Sequence, residues 1–402
     1  MAIIQAASCS SADVQTAINQ SINGDTVLVP SGTCTWNSGV TINKSITLSG
    51  MNTGCPNSCV DNTIITEGNA SSKINITTNN VRVNGITFQN RDGGSGAGTI
   101  TINPDPAVTN YRIDHNHFKN AGQIDGSTNS IVIGAFGGNK KQYPGLIDNN
   151  LFDGANSWKC INLSGGGVSD WNLPLGLGGS DFLFVEDNRF VHNNQVNSCF
   201  DTDDGGRVVF RYNYLKETRF ITHGTAWSSD PLIRTSVHAV EVYNNTFNGD
   251  LGTVQAYFMV LEGGTGVFYN NTANGSTNHF IYLQYLRGDN SSYCTGSYDC
   301  DGSYPLDGNS GSYGYPCYQQ PGMTGSNGHI SVPVYAWNNT WSGHNAIIDA
   351  ENECGRGHMQ SGRDYFNETP KPGYIPYTYP HPLRNEEPQC PPVTANFNLQ
   401  MI

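Results

Sequence analysis

One short phrase returns seven times along this chain, and nothing else in the sequence restricts its fold as strongly. The phrase runs as an apolar or aromatic residue, a variable residue, a polar residue, Asn, a variable residue and, in most copies, Phe. It occurs at Ile113–Phe118, Ile147–Phe152, Val185–Phe190, Phe210–Leu215, Val242–Phe247, Phe268–Thr272 and Ala336–Trp341. The recurring Asn stands at 116, 150, 188, 213, 245, 271 and 339, so the intervals are 34, 38, 25, 32, 26 and 68 residues. The shorter intervals approximate one bare coil of a solenoid, and the longer ones a coil carrying inserted loops. A coil cannot bury its inner face alone, whereas stacking at about 4.8 Å between strands makes the core continuous and completes the backbone ladder. The chain is therefore expected to fold as a right-handed parallel β-helix of about ten coils. The repeated Asn is expected to take the left-handed turn and to hydrogen-bond its side chain to the next coil.

The ends break the pattern. Ser10 before Val14, Ala17 and Ile18 at helical spacing predicts a short amphipathic cap within residues 1–23. The solenoid is expected over 24–360, with an insertion at about 288–330 rich in Gly, Ser and Tyr, and a Pro-rich extended strap over 361–402. Composition agrees with strands and turns, since 13% of residues are charged and 47 are Gly. A net charge of −13 repels phosphate backbones, and no apolar run reaches the 18 residues of a membrane span, so neither nucleic acid nor membrane insertion is expected. Eleven cysteines without a paired CxxC motif read as disulfides in an exported protein. The start Met1-Ala2-Ile3-Ile4 has no signal-peptide features, so export is inferred from the cysteines alone. Cys160 and Cys199 fall 10 and 11 residues after their repeat Asn, which predicts that they stack on neighbouring coils within disulfide reach.

The segment Ala6-Ala7-Ser8-Cys9, the phrase Gly24-Asp25-Thr26-Val27-Leu28-Val29-Pro30 with Cys34 and Trp36, and the repeats resemble bacterial exported right-handed β-helix repeat proteins of the pectate-lyase-like superfold. The likeness covers nearly the whole chain and implies the fold. That superfold hosts lyases, hydrolases and non-catalytic surface proteins, so function has to be sought in a site. The Asn-Thr-Asp, Gly-His-Gly and Arg-Ile-Lys set of polygalacturonases is absent from the chain.

In a solenoid, a site is an unusual set of polar residues aligned across consecutive coils. Three turns qualify, with ionisable groups before Gly: Asp203-Asp204-Gly205, His223-Gly224 and Glu262-Gly263. Strand spacing places Asp and Glu about 9.6 Å apart with His223 between them, near the upper end for an inverting glycosidase. Asp203 or Asp204 is expected to hold His223 as the acid or base, with Glu262 opposite. Arg207, Arg211, Arg234 and His238 are candidates for binding a uronate carboxylate, and Trp158, Trp171, Trp227 and Tyr257 for stacking sugars. No cofactor is demanded; calcium is admissible at Asp201, Asp203, Asp204 or Glu186, although no spacing specifies a metal site. Two functions fit. One is an extracellular lyase or glycoside hydrolase cleaving an acidic or plant-type polysaccharide along the solenoid groove. The other is a non-catalytic surface, adhesive or filament-forming module, for which Asn ladders and low charge density need no active site. Oligomeric state is left open by the sequence.

Overall fold

Each repeat of the phrase bends the chain at the same place and starts a new coil. The computed structural model describes residues 1–69, 71–89, 98–103, 108–119, 129–134, 143–154, 159–192, 197–224, 235–252, 257–285, 315–317, 319–325, 328, 330–342, 346–351 and 359–385. Among these residues, strands of one coil pair in parallel with those of the next to build three long sheets of 12, 10 and 10 strands. One coil shows the path: Tyr111–Asp114 lies in the first sheet, His117–Lys119 in the second and Asn129–Ile133 in the third. The result is a right-handed parallel β-helix. Its first sheet begins earlier and ends later than the 24–360 span expected, because Ile3–Gln5 pairs with Thr26–Leu28 and Tyr365–Asn367 with Val334–Trp337.

The core is built by columns of inward side chains in strict register. Phe88, Phe118, Phe152 and Phe190 stack with ring centroids 5.5, 4.7 and 4.8 Å apart in the second sheet. Ile131, Ile161, Phe200 and Phe220 form the matching column of the third sheet. Each such burial contributes roughly 1.5–3 kcal/mol.

The seven asparagines run as one ladder. From Asn116 to Asn271, each side-chain amide donates to the Oδ1 of the next at 3.0–3.2 Å, and its backbone N–H donates to the same oxygen at 2.9–3.1 Å. A second bond from Nδ2 reaches back to the preceding coil, as from Asn213 to the Val185 carbonyl at 2.9 Å. The left-handed residue, however, is the one before the ladder Asn. His115, Asn149, Asp187, Tyr212, Asn244, Asn270 and Asn338 have φ of 53° to 58°. The two tasks fall on different residues because an Asn that itself turned left-handed would swing its amide out of line. The weaker relative of the phrase fits the same plan: Gly85 takes the left-handed turn and Ile86 N–H caps the ladder on Asn116 Oδ1 at 3.2 Å.

The N-terminal end is plugged by the helix Ser11–Gln20, capped by Ser10 accepting from Asp13 N–H, with Val14, Ala17 and Ile18 buried. Cys9–Cys34 ties this cap to the strand Gly32–Trp36, and Cys55–Cys59 closes a nearby loop. Register places Cys160 beside Cys199 as expected, yet both are free thiols in the core. Their sulfurs turn to other partners instead: Cys160 Sγ lies 3.3 Å from His192 Nε2, and Cys199 Sγ donates to the Arg219 carbonyl at 3.2 Å.

Residues 374–384 lie over the outer face of the first sheet as a strap. Arg211, fully buried, donates to the carbonyls of Tyr377 and Thr378 at 2.8 and 2.9 Å and to Glu186 at 2.8 Å. Tyr374 donates to Glu241, the His381 N–H donates to Glu186 at 3.1 Å, and Arg384 pairs with Asp187 and Glu186. Farther along the same face Arg112 pairs with Asp148 and Arg82 with Asp114.

Candidate functional site

Side chains alternate along most of each strand, so the outer face of the third sheet follows the register that fills the core, except that Cys160 and Ile161, like Cys199 and Phe200, are both in the core and the residue before each pair turns outward. Three outward rows result. The first aligns Asn129, Lys159, Ser198 and Arg219, and continues through Tyr257 to His279. Arg219 joins the two halves by placing its guanidinium 4.8 Å from the centre of the Tyr257 ring. The second row carries Asn162 and Asp201, then Val260, Tyr282 and Asp349. Ile221, Tyr257 and Val260 form an apolar cluster apart from the main core, with Tyr282 packed against it. The third row begins with Ser164 beside Asp203, and the His223 N–H donating to the Thr202 carbonyl at 2.8 Å sets His223 beside Asp203. Gly224 N–H donates to Glu262 Oε2 at 3.3 Å, which sets Glu262 on the following strand.

The three acidic and histidine turns therefore do align on neighbouring coils, but the partner of the imidazole differs from the one expected. His223 Nδ1 donates to Asp201 Oδ1 at 2.7 Å, and Lys159 contacts the other oxygen of Asp201. Asp201 precedes Asp203 by two residues and so shares its face. Despite its burial, His223 and Lys159 hold the Asp201 carboxyl well below the usual range. Asp203 is pushed the other way, up to about 6, first by burial and then by the neighbouring Asp204 and Asp201 charges. Its Oδ1 accepts from Ser164 at 2.7 Å.

Several other candidates prove to be scaffolding. Asp204 sits at φ 52° and accepts from Thr235 N–H at 3.1 Å, so it builds the turn rather than holding His223. Glu262 stands on the other side of His223 from Asp203, and its Oε2 accepts from the Gly224 N–H. His238 is fully buried, stacks on Trp171 at 4.9 Å, and bonds Thr324; burial and nearby Arg207 drive it down to about 3, so it stays neutral and cannot attract a carboxylate. Trp171 is likewise fully buried and donates to the Ser236 carbonyl, which rules out a stacking platform. Arg207 begins the first-sheet strand Arg207–Arg211 and lies near Asp170 and Asp181, and Arg211 is held by the strap. Tyr257 does belong to the face. Trp158, Trp227 and Arg234, and with them Cys294 and Cys300, lie outside the described residues.

Two of the four carboxylates named for calcium are already paired within the chain. Asp201 is occupied by His223 and Lys159, and Glu186 by Arg211 and Arg384. Among the described residues no group of three or more His, Cys, Asp or Glu is poised for a metal ion. No described helix is long and apolar enough to cross a membrane.

No family model matches the chain, and no curated protein matches it. Among solved structures it is similar to a PL6 family alginate lyase, at 13% identity over 87% of this chain and 53% of that one, with a TM-score of 0.42. It is also similar to an alginate lyase from a Paenibacillus species, at 15% identity over 87% and 98% of the two chains, TM-score 0.36. A third is a family 28 exopolygalacturonase from Yersinia enterocolitica, at 12% identity over 69% and 73%, TM-score 0.35. The chain spans about half the length of the first of these. What they share with it is the parallel β-helix, whose assignment rests on the strand pairing above.

Proposed function

We propose that this chain cleaves an acidic polysaccharide outside the cell by elimination, with His223 as the proton acceptor and Asp203 as the proton donor. The observation that carries this reading is the Asp201–His223 pair standing beside Asp203 on the outer face of the third sheet. An ionised carboxylate only accepts hydrogen bonds, so Asp201 fixes the proton on Nδ1 and leaves Nε2 as the basic nitrogen. A carboxyl raised to about 6 still holds its proton in mildly acidic solution and can deliver it to a departing oxygen.

Geometry favours elimination over hydrolysis. Acid and base sit on neighbouring strands, about 4.8 Å apart, on one side of whatever lies on the sheet. A hydrolase of either stereochemistry uses two carboxyl groups, about 6.5–9.5 Å apart when inverting and about 5–5.5 Å when retaining, whereas the pair here is a carboxyl and an imidazole. In elimination, His223 removes the proton beside the uronate carboxylate. The electron pair forms the new carbon–carbon double bond, the glycosidic C–O bond breaks, and Asp203 protonates the leaving oxygen. Lys159 and Arg219, on the same face, supply the positive charge that acidifies that proton by neutralising the carboxylate. The disulfides Cys9–Cys34 and Cys55–Cys59 support an oxidising compartment.

Incubation with a panel of polyuronates and neutral polysaccharides, read for both unsaturated ultraviolet-absorbing product and reducing ends, tests the reaction. Absorbing product from a polyuronate is expected. Reducing ends without absorbance would exclude elimination, and neither signal would favour a binding module. His223→Ala is expected to lower kcat about 10²–10⁴-fold with a melting temperature near that of the parent. Retained turnover with a large fall in melting temperature would return His223 to the scaffold.

A further inference from the structure

The two outer rows on the third sheet differ in charge, and the acids of the middle row, Asp201 and Asp349, pair with Lys159, His223 and His279. The first row carries Lys159, Arg219 and His279, with Asn129, Ser198 and Tyr257 between them and no acid. The third row carries Asp203 and Glu262 with His223 as its one basic side chain, and continues to Glu351 through Gln284 N–H donating to the Leu261 carbonyl and Glu351 N–H to the Leu283 carbonyl. Toward the C-terminal end of the face, two strands past His223, the middle row presents Tyr282. Its ring stacks on the His279 imidazole at a centroid distance of 4.4 Å. His279 is itself oriented by Asp349, at 3.1 Å from Nδ1, and these two side chains are 32% and 48% exposed. Tyr282 continues an aromatic file to Tyr257, 6.2 Å away, and so to Arg219.

We infer that Tyr282 and His279 form a sugar-stacking subsite for a polyuronate strand lying along the solenoid axis, its carboxylates turned toward the Lys159–Arg219 row. This deepens the proposed function and rests on it for the position of the reacting bond. The repeat of the protein and that of the ligand match in scale: strands advance by about 4.8 Å, close to the length of one sugar unit in an extended chain. Two strands from His223 to Tyr282 therefore correspond to two sugar units beyond the reacting bond. An aromatic ring offers an apolar face to the C–H side of a pyranose while its hydroxyl stays hydrated. The difference in charge between the outer rows then fixes which edge of the sugar chain faces which row: anionic carboxylates are attracted to the side of Lys159 and Arg219 and repelled by Glu262 and Glu351. Neutral chains gain the stacking and lose the orientation.

The test is binding of the full chain, made slow to turn over by His223→Ala, to polygalacturonate, to alginate and to a neutral glucan of similar length, followed by calorimetry. At least one polyuronate is expected to bind, more weakly in 0.5 M NaCl, and the glucan poorly. Tyr282→Ala should weaken polyuronate binding about five- to tenfold, and Tyr282→Phe should restore it, with melting temperatures confirming folding. Unchanged affinity in folded Tyr282→Ala, or glucan binding as tight as polyuronate binding, overturns the subsite. Tyr282-dependent binding to a polymer that the parent chain never cleaves would uphold the subsite and sink the catalytic reading. Cleavage that depends on His223 but with KM indifferent to Tyr282 would do the reverse.

Discussion

The outer faces of the first and third sheets both bury charges, and they neutralise them differently. On the first sheet the acids Asp114, Asp148 and Glu186 stack in register on consecutive coils, and each is met by an arginine, Arg82 with Asp114, Arg112 with Asp148 and Arg211 with Glu186, while Arg384 of the strap pairs with Asp187. Each guanidinium is matched by a carboxylate on its own or an adjacent coil, and the strap's carbonyls take the remaining donors. On the third sheet Asp203 has Asp204 and Asp201 for neighbours, and burial first and then those two charges keep its proton on to about 6. Matching each acid with an arginine lowers the electrostatic energy within the chain. Setting like charges side by side raises it, which is the arrangement expected where chemistry is done.

Breaking a pair beneath the strap should therefore be the more damaging change to stability. Arg211→Ala leaves Glu186 buried with only the His381 N–H and the more distant Arg384 as partners, and is expected to cost about 3–5 kcal/mol in urea unfolding while the folded fraction keeps its turnover. A loss below about 1 kcal/mol would show that the strap is ornamental. The Asn ladder runs at the corner between the first and second sheets and serves neither face, so Asn213→Ala should lower stability by roughly 1–3 kcal/mol through stranded backbone groups, again without a specific effect on catalysis. An equal fall in kcat of the folded enzyme would show the two faces to be coupled.

The smallest effect should run in the opposite direction. Because the Asp203 carboxyl is raised in the folded state, the folded protein binds the extra proton between the ordinary carboxylate range and about 6, and stability falls as pH rises through that window. Asp203→Asn should thus melt a few degrees higher than the parent at pH 7.5, converge with it near pH 4, and lose activity. His238 and His192, held neutral by burial at about 3 and about 4, make both proteins less stable as pH falls below the ordinary imidazole range, so the difference between the two melting curves is the quantity to read. A variant that gains nothing at pH 7.5 would mean that Asp203 is ionised at no cost.

Much of the solenoid was legible because its grammar is local: the phrase around Asn213 specifies a turn, a ladder bond and a core residue within six positions. The site was only half legible. Asp203, His223 and Glu262 stood out because they precede glycines, yet the partner that matters, Asp201, carries no such flag. Strand alternation was its signal, since any register that turns Asp203 outward also turns Asp201 outward. Lys159, Arg219 and Tyr282 join the face through register across coils of unequal length, which no single phrase records. His238 and Trp171 misled for a related reason. They lie at the corner between sheets, where alternation fails, and Trp171 packs inward against His238. Cys160 and Cys199 show that adjacency can be read where bonding cannot.

The left-handed turn that precedes each ladder Asn has a consequence for how such a chain can diversify. Between the first and second sheets its length does not vary from the coil of Arg82–Asn84 onward: Asn84 leads to Thr87 as Asp114 leads to His117, Arg211 to Tyr214 and Tyr243 to Thr246. Between the second and third sheets the connection ranges from the single residue Glu217 to the stretch 120–128. One corner of the coil thus acts as a ratchet that resets the count at every turn, and the opposite corner is released from counting. Insertions, deletions and exchanged segments beside the reactive face leave the next coil in step, so new specificities can be sampled there without the fold being renegotiated.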